Sequence, residues 1–391
     1  MKIEWVGMRK SQILTNKFTD NNFYFITNYQ NFLSNMLVFF CSSNCGCTAV
    51  PEGTVVGIGN PLLDISVMVN EDFLKKYDLK PNDAIMAEEK HLPLYKELTD
   101  NYNPDYLAGG SVQNSVRVAQ WILKTPKIFV ASQVPNDVQI SRLHFSRHDG
   151  VNVLYQVNEE KPTGTCAVLL TAEGNCRSLC ANLAAAQVFT ADHIEKPECK
   201  EAVQKAKLFY SSGFFLAVSP EAMMSLAKHA FEKNHIFALN ASAPFVMEFY
   251  KKPLEDVLPY VDILFGNELE ATAFAKFFEL KGKTLEEIAL EIARLPYMNK
   301  TRERVVIITQ SANPVILVDK GKVTLVPVKP LKQEQIVDTN GAGDAFSGGF
   351  LSQIVKGRSL KECVQCGIYS AAYVIQHSGC SVRNYQDKCA S

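Results

Sequence analysis

The chain has 391 residues, of which 47% are hydrophobic and 21% charged, the ordinary composition of a folded globular protein. Its formal net charge is −1, so it offers no electrostatic basis for binding nucleic acid or an anionic membrane surface. The 11 cysteines are odd in number and scattered, which favours a reducing compartment over a disulfide framework. We therefore expect a cytoplasmic protein, with a nuclear location also compatible.

Residues 1–52 differ in character from the rest of the chain, because they are rich in Asn, Phe and Tyr and show no clear period. We expect a poorly ordered N-terminal extension. Its apolar run Met36–Cys41 is too short to span a bilayer, and its basic residues are too spread out for a signal peptide. Cys41, Cys45 and Cys47 cluster without a fourth soft ligand nearby, which favours free thiols over a zinc site.

From Thr54 onward, short apolar runs alternate with helical patterns. This alternation predicts βαβ units and a mostly parallel sheet with helices on both faces. The predicted strands are Thr54–Gly59, Leu63–Val69, Lys127–Ala131, Val151–Val157, Thr165–Thr171, Lys207–Ser211, His235–Leu239, Asp262–Phe265 and Arg304–Thr309. The predicted helices are Ser111–Leu123, Pro220–Lys233, Glu268–Phe278, Leu285–Leu295 and Ala345–Ile354. An antiparallel hairpin is predicted at the sheet edge, from Val315–Val318 and Lys322–Val328.

Four early strands do not fit the βα alternation: Leu63–Val69, Ala84–Ala87, Val151–Val157 and Thr165–Thr171. We interpret them as a smaller sheet that stands over the ligand-binding edge as a lid. The predicted organisation is thus an extension at 1–52, a main α/β domain at 53–385 and a tail at 386–391. The lid is discontinuous and occupies roughly 63–90 and 151–185.

The most informative stretch is Asp338–Phe346, in which Gly341, Ala342 and Gly343 lead directly into an apolar helical run. A glycine-rich turn at a helix start binds anions, because the first amides lack partners and the helix dipole favours negative charge. Asp344 would lie beside that anion site as a general base, an arrangement that indicates phosphoryl transfer to an alcohol. The alternative is an Asp that caps a helix in a glycine turn. No Walker-type phosphate loop occurs.

Two further features suit a sugar. Asp64 lies in an apolar strand, where a carboxylate is costly unless it is hydrogen-bonded, and a vicinal diol would satisfy it. A paired or capping Asp is the alternative. The turn Gly109-Gly110-Ser111, followed by Asn114, would offer amides to sugar hydroxyls, or it is a plain helix start.

Asn267 and Glu270 lie three residues apart after an apolar strand, where they suit a hydrated Mg²⁺. A capping box is the alternative, and it is favoured on these residues alone. Thr309 ends a strand and would reach a nucleotide phosphate. Phe214, Phe215 and Phe245 lie at predicted strand ends, where aromatic rings would stack on a purine, although core packing is the default for such residues.

Taken together, these features resemble the ribokinase-type carbohydrate kinases, and most specifically the members that phosphorylate adenosine. The resemblance covers roughly Gly53–Arg383. It implies a three-layer Rossmann-type α/β domain with a central mostly parallel sheet, plus a small α/β lid. It rests on Gly59-Asn60-Pro61-Leu62-Leu63-Asp64-Ile65, Ala108-Gly109-Gly110-Ser111-Val112-Gln113-Asn114-Ser115, Pro162-Thr163-Gly164-Thr165-Cys166, Asn182-Leu183-Ala184-Ala185-Ala186, Asn240-Ala241-Ser242-Ala243-Pro244-Phe245, Phe265-Gly266-Asn267-Glu268 and Asp338–Phe346.

The resemblance implies that ATP phosphorylates the 5′-hydroxyl of adenosine to give AMP, with Mg²⁺ and possibly K⁺, in a monomer whose partners are small molecules. By this analogy, Asp344 activates the hydroxyl, and Gly341, Ala342 and Gly343 form the anion hole. The adenosine-binding residues would be Asn60, Leu62, Asp64, Gly110, Ser111, Asn114, Cys166, Leu179, Ala181, Phe215, Phe245 and Asn340. Arg177, Asn267, Thr309 and Asp338 would lie at the ATP phosphates, with Asn267 and Glu270 holding Mg²⁺ through water.

The chain departs from the family pattern at Ser132–Gln139, which contains no glycine where a glycine-rich turn is expected. It also has Thr309-Gln310-Ser311 in place of T-x-G, and Ile368 where a His is common. Two alternative functions therefore stay open. One is another ribokinase-family nucleoside or sugar kinase, and the other is a nucleoside-binding protein with impaired catalysis.

Overall fold

The computed structural model describes residues 50–124, 129–135, 150–171 and 176–382. The predicted N-terminal extension, with its three clustered cysteines, lies outside these residues apart from its last three positions, and so does the tail at 386–391. Of the glycine-free stretch Ser132–Gln139, only the backbone up to Pro135 is described, as the end of a strand. The rest of this departure from the family pattern lies outside the described residues.

Fourteen strands are present in the described part of the chain, and they form two sheets. The strands are β1 (Val55–Ile58), β2 (Leu62–Met68), β3 (Ala84–Met86), β4 (Asp105–Gly109), β5 (Phe129–Pro135), β6 (Asn152–Asn158), β7 (Thr165–Thr171), β8 (Cys176–Asn182), β9 (Leu208–Ser212), β10 (Ile236–Asn240), β11 (Ile263–Asn267), β12 (Val305–Gln310), β13 (Asn313–Asp319) and β14 (Lys322–Val326).

The larger sheet has nine strands in the order β14-β13-β12-β11-β10-β9-β1-β5-β6. Every neighbouring pair from β12 to β6 is parallel. The pairs β12·β13 and β13·β14 are antiparallel, so the hairpin predicted at the sheet edge is present. The predicted mostly parallel α/β fold is therefore confirmed.

The smaller sheet has five strands in the order β3-β8-β7-β2-β4. It mixes parallel pairs, β2·β7 and β3·β8, with antiparallel pairs, β2·β4 and β7·β8. Its own core consists of buried side chains such as Leu74, Leu94, Leu98 and Leu169. This sheet corresponds to the predicted lid, and its strands come from two separate stretches of sequence.

One strand lies in a different sheet from the one that the sequence indicates. Val151–Val157 was assigned to the lid, but β6 runs parallel to β5 at the edge of the larger sheet, from the pair Phe129↔Asn152 to Pro135↔Asn158. The lid takes β4 instead, antiparallel to β2. An apolar, alternating run identifies a strand, whereas its partner is selected by tertiary packing that the pattern does not encode.

The α-helices of the described residues are α1 (Glu71–Lys76), α2 (Leu92–Asn101), α3 (Ser111–Leu123), α4 (Pro197–Lys205), α5 (Pro220–Glu232), α6 (Pro244–Phe249), α7 (Lys251–Val257), α8 (Glu268–Phe277), α9 (Leu285–Arg294), α10 (Ala342–Ile354) and α11 (Leu360–Val374). Helices cover both faces of the larger sheet. One core cluster joins it to α3, α10 and α11, and another joins it to α4 through α9, which gives the three layers. No helix in the described residues is long and apolar enough to cross a membrane.

Candidate active site

A cavity of about 230 Å³ lies where the carboxyl ends of the large-sheet strands face the smaller sheet. Ligands in open α/β sheets bind beyond the carboxyl ends of the strands, so its position is the expected one. Side chains from β2, β7 and β8 form the wall on the lid side, and residues after β9, β10 and β11 form the opposite wall. The starts of α3 and α10 also reach this cavity.

Asp344 lies in the first turn of α10 and is held by two side chains of α3. The Ser111 hydroxyl donates to its Oδ1 over 2.6 Å, and the Asn114 amide donates to its Oδ2 over 3.0 Å. The Asp344 side chain is only partly open to the cavity, and burial raises its pKa to about 6, while the bonds from Ser111 and Asn114 oppose that rise. These bonds to another helix, rather than to its own amides, favour the general-base interpretation over a helix cap.

The turn before α10 has the backbone conformation that an anion site requires. Gly341 is left-handed, with φ of 77°, and its carbonyl accepts the amide of Ala345 over 2.8 Å. Gly341 and Gly343 line the cavity, and a side chain at Gly343 would meet nothing within 4 Å. Ala342 begins the helix but does not line the cavity. The Ala342 amide contacts the carbonyl of Thr339 over 3.4 Å, so the next amides of α10, those of Gly343 and Asp344, are the ones that suit a bound anion.

Asp64, in β2, lies across the cavity and is 7% exposed. The side-chain amide of Asn340 donates to its Oδ2 over 3.2 Å. Burial raises the pKa of Asp64 to about 7, and the neighbouring negative charge of Asp344 adds to the rise. A paired Asp was the alternative interpretation, and the pairing with Asn340 exists, yet the carboxylate still lines the cavity and has acceptor capacity left for a ligand.

The two glycines before α3 are required by close contacts around Asp64. A Cβ at Gly109 would lie 1.9 Å from Oδ1 of Asp64, so a side chain there would occupy the space of the carboxylate. Gly110 has φ of +97°, and a Cβ there would lie 2.1 Å from the carbonyl oxygen of Asn60. Gly110 is the N-cap residue of α3, without a side-chain cap, and it lines the cavity with its backbone.

Asn267 and Glu270 form the capping box that was the favoured alternative for them. The side-chain oxygen of Asn267, Oδ1, accepts the backbone amides of Leu269 and Glu270, which uses both of its lone pairs. Both Glu270 oxygens accept bonds from Asn267, but each retains a lone pair, and the side chain lines the cavity. Glu270 therefore fits water-mediated contact with Mg²⁺, whereas Asn267 fits the role of orienting Glu270. Burial raises the pKa of Glu270 to about 7.

Arg177, in β8, is the cation that faces these acids from the lid. Its charge lowers the pKa values of Asp344, Glu270 and Asp338, against the stronger effect of their burial. Arg177 also lines the cavity, as does Thr309 at the end of β12. A guanidinium beside a glycine turn suits binding of phosphate groups.

The cavity is lined by all but three of the residues that the family resemblance assigns to the site. The three are Ala342, Asp338 and Phe215. Asp338 is 1% exposed, and its carboxylate accepts the backbone amides of Asn340 at 2.7 Å and Gly379 at 2.8 Å. It therefore holds the conformation of the turn and does not contact the cavity. Phe215 is fully buried in the core of the large domain.

Of the two adjacent phenylalanines, Phe214 faces the cavity, whereas the resemblance implies Phe215. The Phe214 ring lies 5.8 Å from that of Phe245, tilted by 32°. Phe214 and Phe215 both lie in the 3₁₀ helix Gly213–Ala217, whose geometry determines which of the two rings faces the cavity. Two adjacent aromatic residues carry no sequence signal for that choice.

The sequence analysis also missed several residues that line the cavity. Ser242 has a left-handed backbone, with φ of 74°, and is held there by its hydroxyl, which accepts the Gly213 amide over 2.9 Å and donates to the carbonyl of Asn240. The turns Ser211-Ser212-Gly213, Asn240-Ala241-Ser242 and Gly266-Asn267-Glu268 follow predicted strands, whose carboxyl ends are expected to meet at one edge of the sheet. The lining residues to which the sequence analysis assigns no individual role are Ala84, Ile85, Met86, Leu183, Ser212, Asn240, Ser242, Phe265, Gly266, Phe346 and Ser347.

Known proteins resemble this chain in sequence. A family model described as pfkB family carbohydrate kinase matches residues 72–387. Adenosine kinase 2 of Arabidopsis thaliana is 47% identical over 332 residues, which cover 84% of this chain and 96% of the plant protein. Adenosine kinase of Schizosaccharomyces pombe is 40% identical over 324 residues, which cover 83% and 94% of the two chains.

Solved structures resemble it as well. Anopheles gambiae adenosine kinase in complex with P1,P4-di(adenosine-5) tetraphosphate shares 51% identity and superposes with a TM-score of 0.82, over 84% of this chain and 97% of the other. Adenosine kinase from Schistosoma mansoni in complex with adenosine and AMP shares 34% identity, with a TM-score of 0.79 over 85% and 98% of the two chains.

Proposed function

This chain belongs to the pfkB family of carbohydrate kinases, and we propose that it transfers the γ-phosphoryl group of ATP to the 5′-hydroxyl of adenosine, giving AMP and ADP. The curated relatives at 40–47% identity are adenosine kinases, and they match nearly their whole length. The observation that carries the proposal is the Asp344 carboxylate, held by Ser111 and Asn114 at the start of α10 and across the cavity from Asp64.

The ribose is bound by the groups around β2 and the start of α3. The Asp64 carboxylate accepts both ribose hydroxyls, and Asn340 keeps it oriented by donating to its Oδ2. The backbone at Gly110 and the side chain of Asn114 complete the polar contacts. With the diol fixed there, the 5′-hydroxyl extends toward Asp344.

Chemistry takes place between Asp344 and the glycine turn. The Asp344 carboxylate accepts the proton of the 5′-hydroxyl as the oxygen attacks the γ-phosphorus, and the bond from that phosphorus to the β–γ bridging oxygen breaks. The first amides of α10, after Gly341, donate to the phosphoryl oxygens where negative charge accumulates. Arg177 contributes a positive charge from the lid side.

The adenine ring occupies the apolar part of the cavity. Phe214 and Phe245 offer ring faces from the large domain. The opposite wall comes from the lid, and the buried Asn60, whose side-chain amide donates to the Phe214 carbonyl over 3.3 Å, lines the same cavity. The lid side chains concerned are Leu62, Cys166, Leu179 and Ala181.

ATP binds with its phosphates near Arg177 and Thr309. Glu270 would hold Mg²⁺ through water, and the ion, when bound, neutralises charge on the β- and γ-phosphates. The family resemblance also implies K⁺ as a possible activator. We further propose a monomer that acts on small molecules in a reducing compartment, an assignment that the free thiols of the described cysteines support.

The direct test incubates the purified protein with Mg-ATP and adenosine and separates the nucleotides by chromatography. We expect AMP and ADP in equal amounts, and no AMP when ATP or Mg²⁺ is omitted. Adenosine binding without AMP formation would support the nucleoside-binding alternative. Faster turnover of guanosine or ribose than of adenosine would assign the chain to the other nucleoside or sugar kinases.

A further inference from the structure

Tyr210 is a fully buried residue of β9 whose hydroxyl lies directly behind the active site. The Ser115 hydroxyl of α3 donates to it over 3.2 Å. Burial raises the pKa of Tyr210, and the side chains of Ser347, in α10, and Asn240, at the end of β10, lie close enough to the phenol oxygen to oppose that rise. The Asn240 side-chain amide donates to the Ser347 hydroxyl over 3.3 Å. One phenol is therefore adjacent to polar side chains of two helices and of the neighbouring strand.

Both helices carry the groups that hold the catalytic base. Ser115 Oγ lies 3.0 Å from the carbonyl oxygen of Ser111, one turn earlier in α3, and Ser111 donates to Asp344. Ser347 lies one turn after Asp344 in α10, on the same helix face. The Tyr210 hydroxyl is thus connected to both ends of the Ser111–Asp344 hydrogen bond.

The two helices pack closely, so small shifts between them are felt at the carboxylate. A Cβ at Gly348 of α10 would lie 2.2 Å from the carbonyl oxygen of Ser115 in α3, which places the two backbones in direct contact. Elsewhere the two helices contact each other through apolar side chains, such as Val118 of α3 and Ala345 of α10 in one buried cluster, and apolar contacts are non-directional. The polar contacts at Tyr210 add a directional constraint at the level of the active site.

We propose that Tyr210 is a positioning residue for phosphoryl transfer: its hydroxyl fixes α3 against α10 and thereby fixes the Asp344 carboxylate for the incoming 5′-hydroxyl. This role rests on the proposed function. Tyr210 does not line the cavity, so it acts through Ser115 and Ser347 and does not contact substrate. A misplacement of reacting groups by about 1 Å costs on the order of 10²-fold in rate, so a modest loss of constraint is measurable.

Tyr210→Phe tests this inference, because it removes only the hydroxyl and keeps the ring that packs edge-on against Phe265. We expect kcat to fall by about tenfold or more, with KM for adenosine within about twofold of wild type. The acid limb of kcat/KM should also move to higher pH. The bonds from Ser111 and Asn114 hold the pKa of Asp344 down, and a looser helix pair weakens them.

Tyr297→Phe is the matched control. Tyr297 donates to Asp262 over 2.6 Å, far from the cavity, so losing this hydroxyl should lower the melting temperature without changing the kcat-to-KM pattern or the acid limb. Tyr210→Phe that behaves like this control, with lower stability and unchanged kinetics, would show that Tyr210 is merely structural and overturn the proposal.

Ser115→Ala removes the same link from the α3 side and decides the matter if Tyr210→Phe does not fold. We expect the same loss of kcat and the same displacement of the acid limb. The kcat of the double variant should be no more than about twofold below that of the less active single variant, because both changes break the same connection. Fully multiplicative losses would overturn the shared mechanism. Wild-type protein that makes no AMP would refute the proposed function and this role together, whereas an active wild type with an unaffected Tyr210→Phe refutes this role alone.

Discussion

The hydroxyl of Ser111 donates to Oδ1 of Asp344 over 2.6 Å, a bond between side chains 233 positions apart in the sequence. Each residue lies at the start of a helix that follows a left-handed glycine, Gly110 before α3 and Gly341 before α10. The two glycine turns, which we propose bind the sugar and the phosphate, are therefore joined at the carboxylate that we propose accepts the proton. The two motifs form one unit.

Replacing Asp344 by Asn keeps the shape of the side chain and its contact with Ser111 but removes the proton acceptor. We expect turnover to fall by about 10²–10⁴-fold, the usual contribution of a positioned base. Adenosine should still bind, because the contacts around Asp64 are unchanged. Steady-state kinetics and calorimetric titration with adenosine check the two halves. Turnover close to wild type would remove Asp344 from its assigned role.

The pH dependence of activity follows from two buried carboxylates. The pKa of Asp344 is raised to about 6 and that of Asp64 to about 7, both chiefly by burial. Each acts as a carboxylate, so protonation of either one impairs the enzyme. We expect kcat/KM for adenosine to fall as pH decreases through the range from about 7 to about 6. A profile that stays flat down to pH 5 would contradict these assignments.

Asp64 should cost the protein stability at neutral pH. Its folded pKa of about 7 lies above its ordinary 3.8, so the folded state binds more protons in between and stability falls as pH rises from about 4 to about 7. The difference corresponds to roughly 4 kcal/mol. Asp64→Asn should therefore unfold at a higher temperature than wild type at pH 8, with little gain at pH 4, while KM for adenosine rises.

The control for that experiment is the exposed Asp192→Asn, which should change neither quantity at either pH. Melting curves recorded at pH 4 and pH 8 for the three proteins give the comparison. A stability gain for Asp64→Asn that is equal at both pH values would show that ionisation of this carboxylate is not the cause.

The adjacent phenylalanines Phe214 and Phe215 should respond in opposite ways to truncation. Phe214→Ala removes a ring from the cavity wall, so we expect a higher KM for adenosine with little change in stability. Phe215→Ala removes a ring that is 0% exposed and should destabilise the protein by about 3–5 kcal/mol. Chemical denaturation and kinetics on both variants test this assignment. A loss of stability for Phe214→Ala as large as that for Phe215→Ala would contradict it.

Gly110→Ala should disable the sugar site through the backbone. The residue has φ of +97°, and its Cβ would lie 2.1 Å from the carbonyl oxygen of Asn60. The turn must shift to accept the methyl group, which moves the start of α3 and with it Ser111. We expect at least tenfold weaker adenosine binding, an order-of-magnitude figure for such a displacement. Gly321→Ala is the control, because its φ is +66° but nothing lies within 4 Å.

The helices and turns whose determinants are close together in the chain could be predicted from the sequence. The helix predicted at Ser111–Leu123 is present with those bounds, and the glycine turn before Asp344 opens a helix as expected. These elements are encoded by residues that are close in the chain: a glycine with positive φ, an apolar period and a first-turn acid. The same holds for the Asn267–Glu270 capping box.

What the sequence does not reveal depends on distant partners. β6 has the pattern of a strand, but its pairing with β5 rather than with the lid is set by the rest of the fold. Phe214 and Phe215 are chemically identical, so only the local turn decides which of them faces the ligand. Asp338 looks like a phosphate-site residue because of its neighbours, whereas its carboxylate is consumed by two backbone amides.

The proposed base and the proposed diol acceptor each have a hydrogen bond that spans most of the chain, from Ser111 to Asp344 over 233 positions and from Asn340 to Asp64 over 276 positions. During synthesis, β1 to β12 leave the ribosome before the segment that carries Asn340 and Asp344. Contacts of such high sequence separation form slowly, and partly completed chains expose their unpaired surfaces in the meantime. A chain that terminates before α10 would therefore be inactive, however well its strands pair. A chaperone would encounter it with the cavity open on one side.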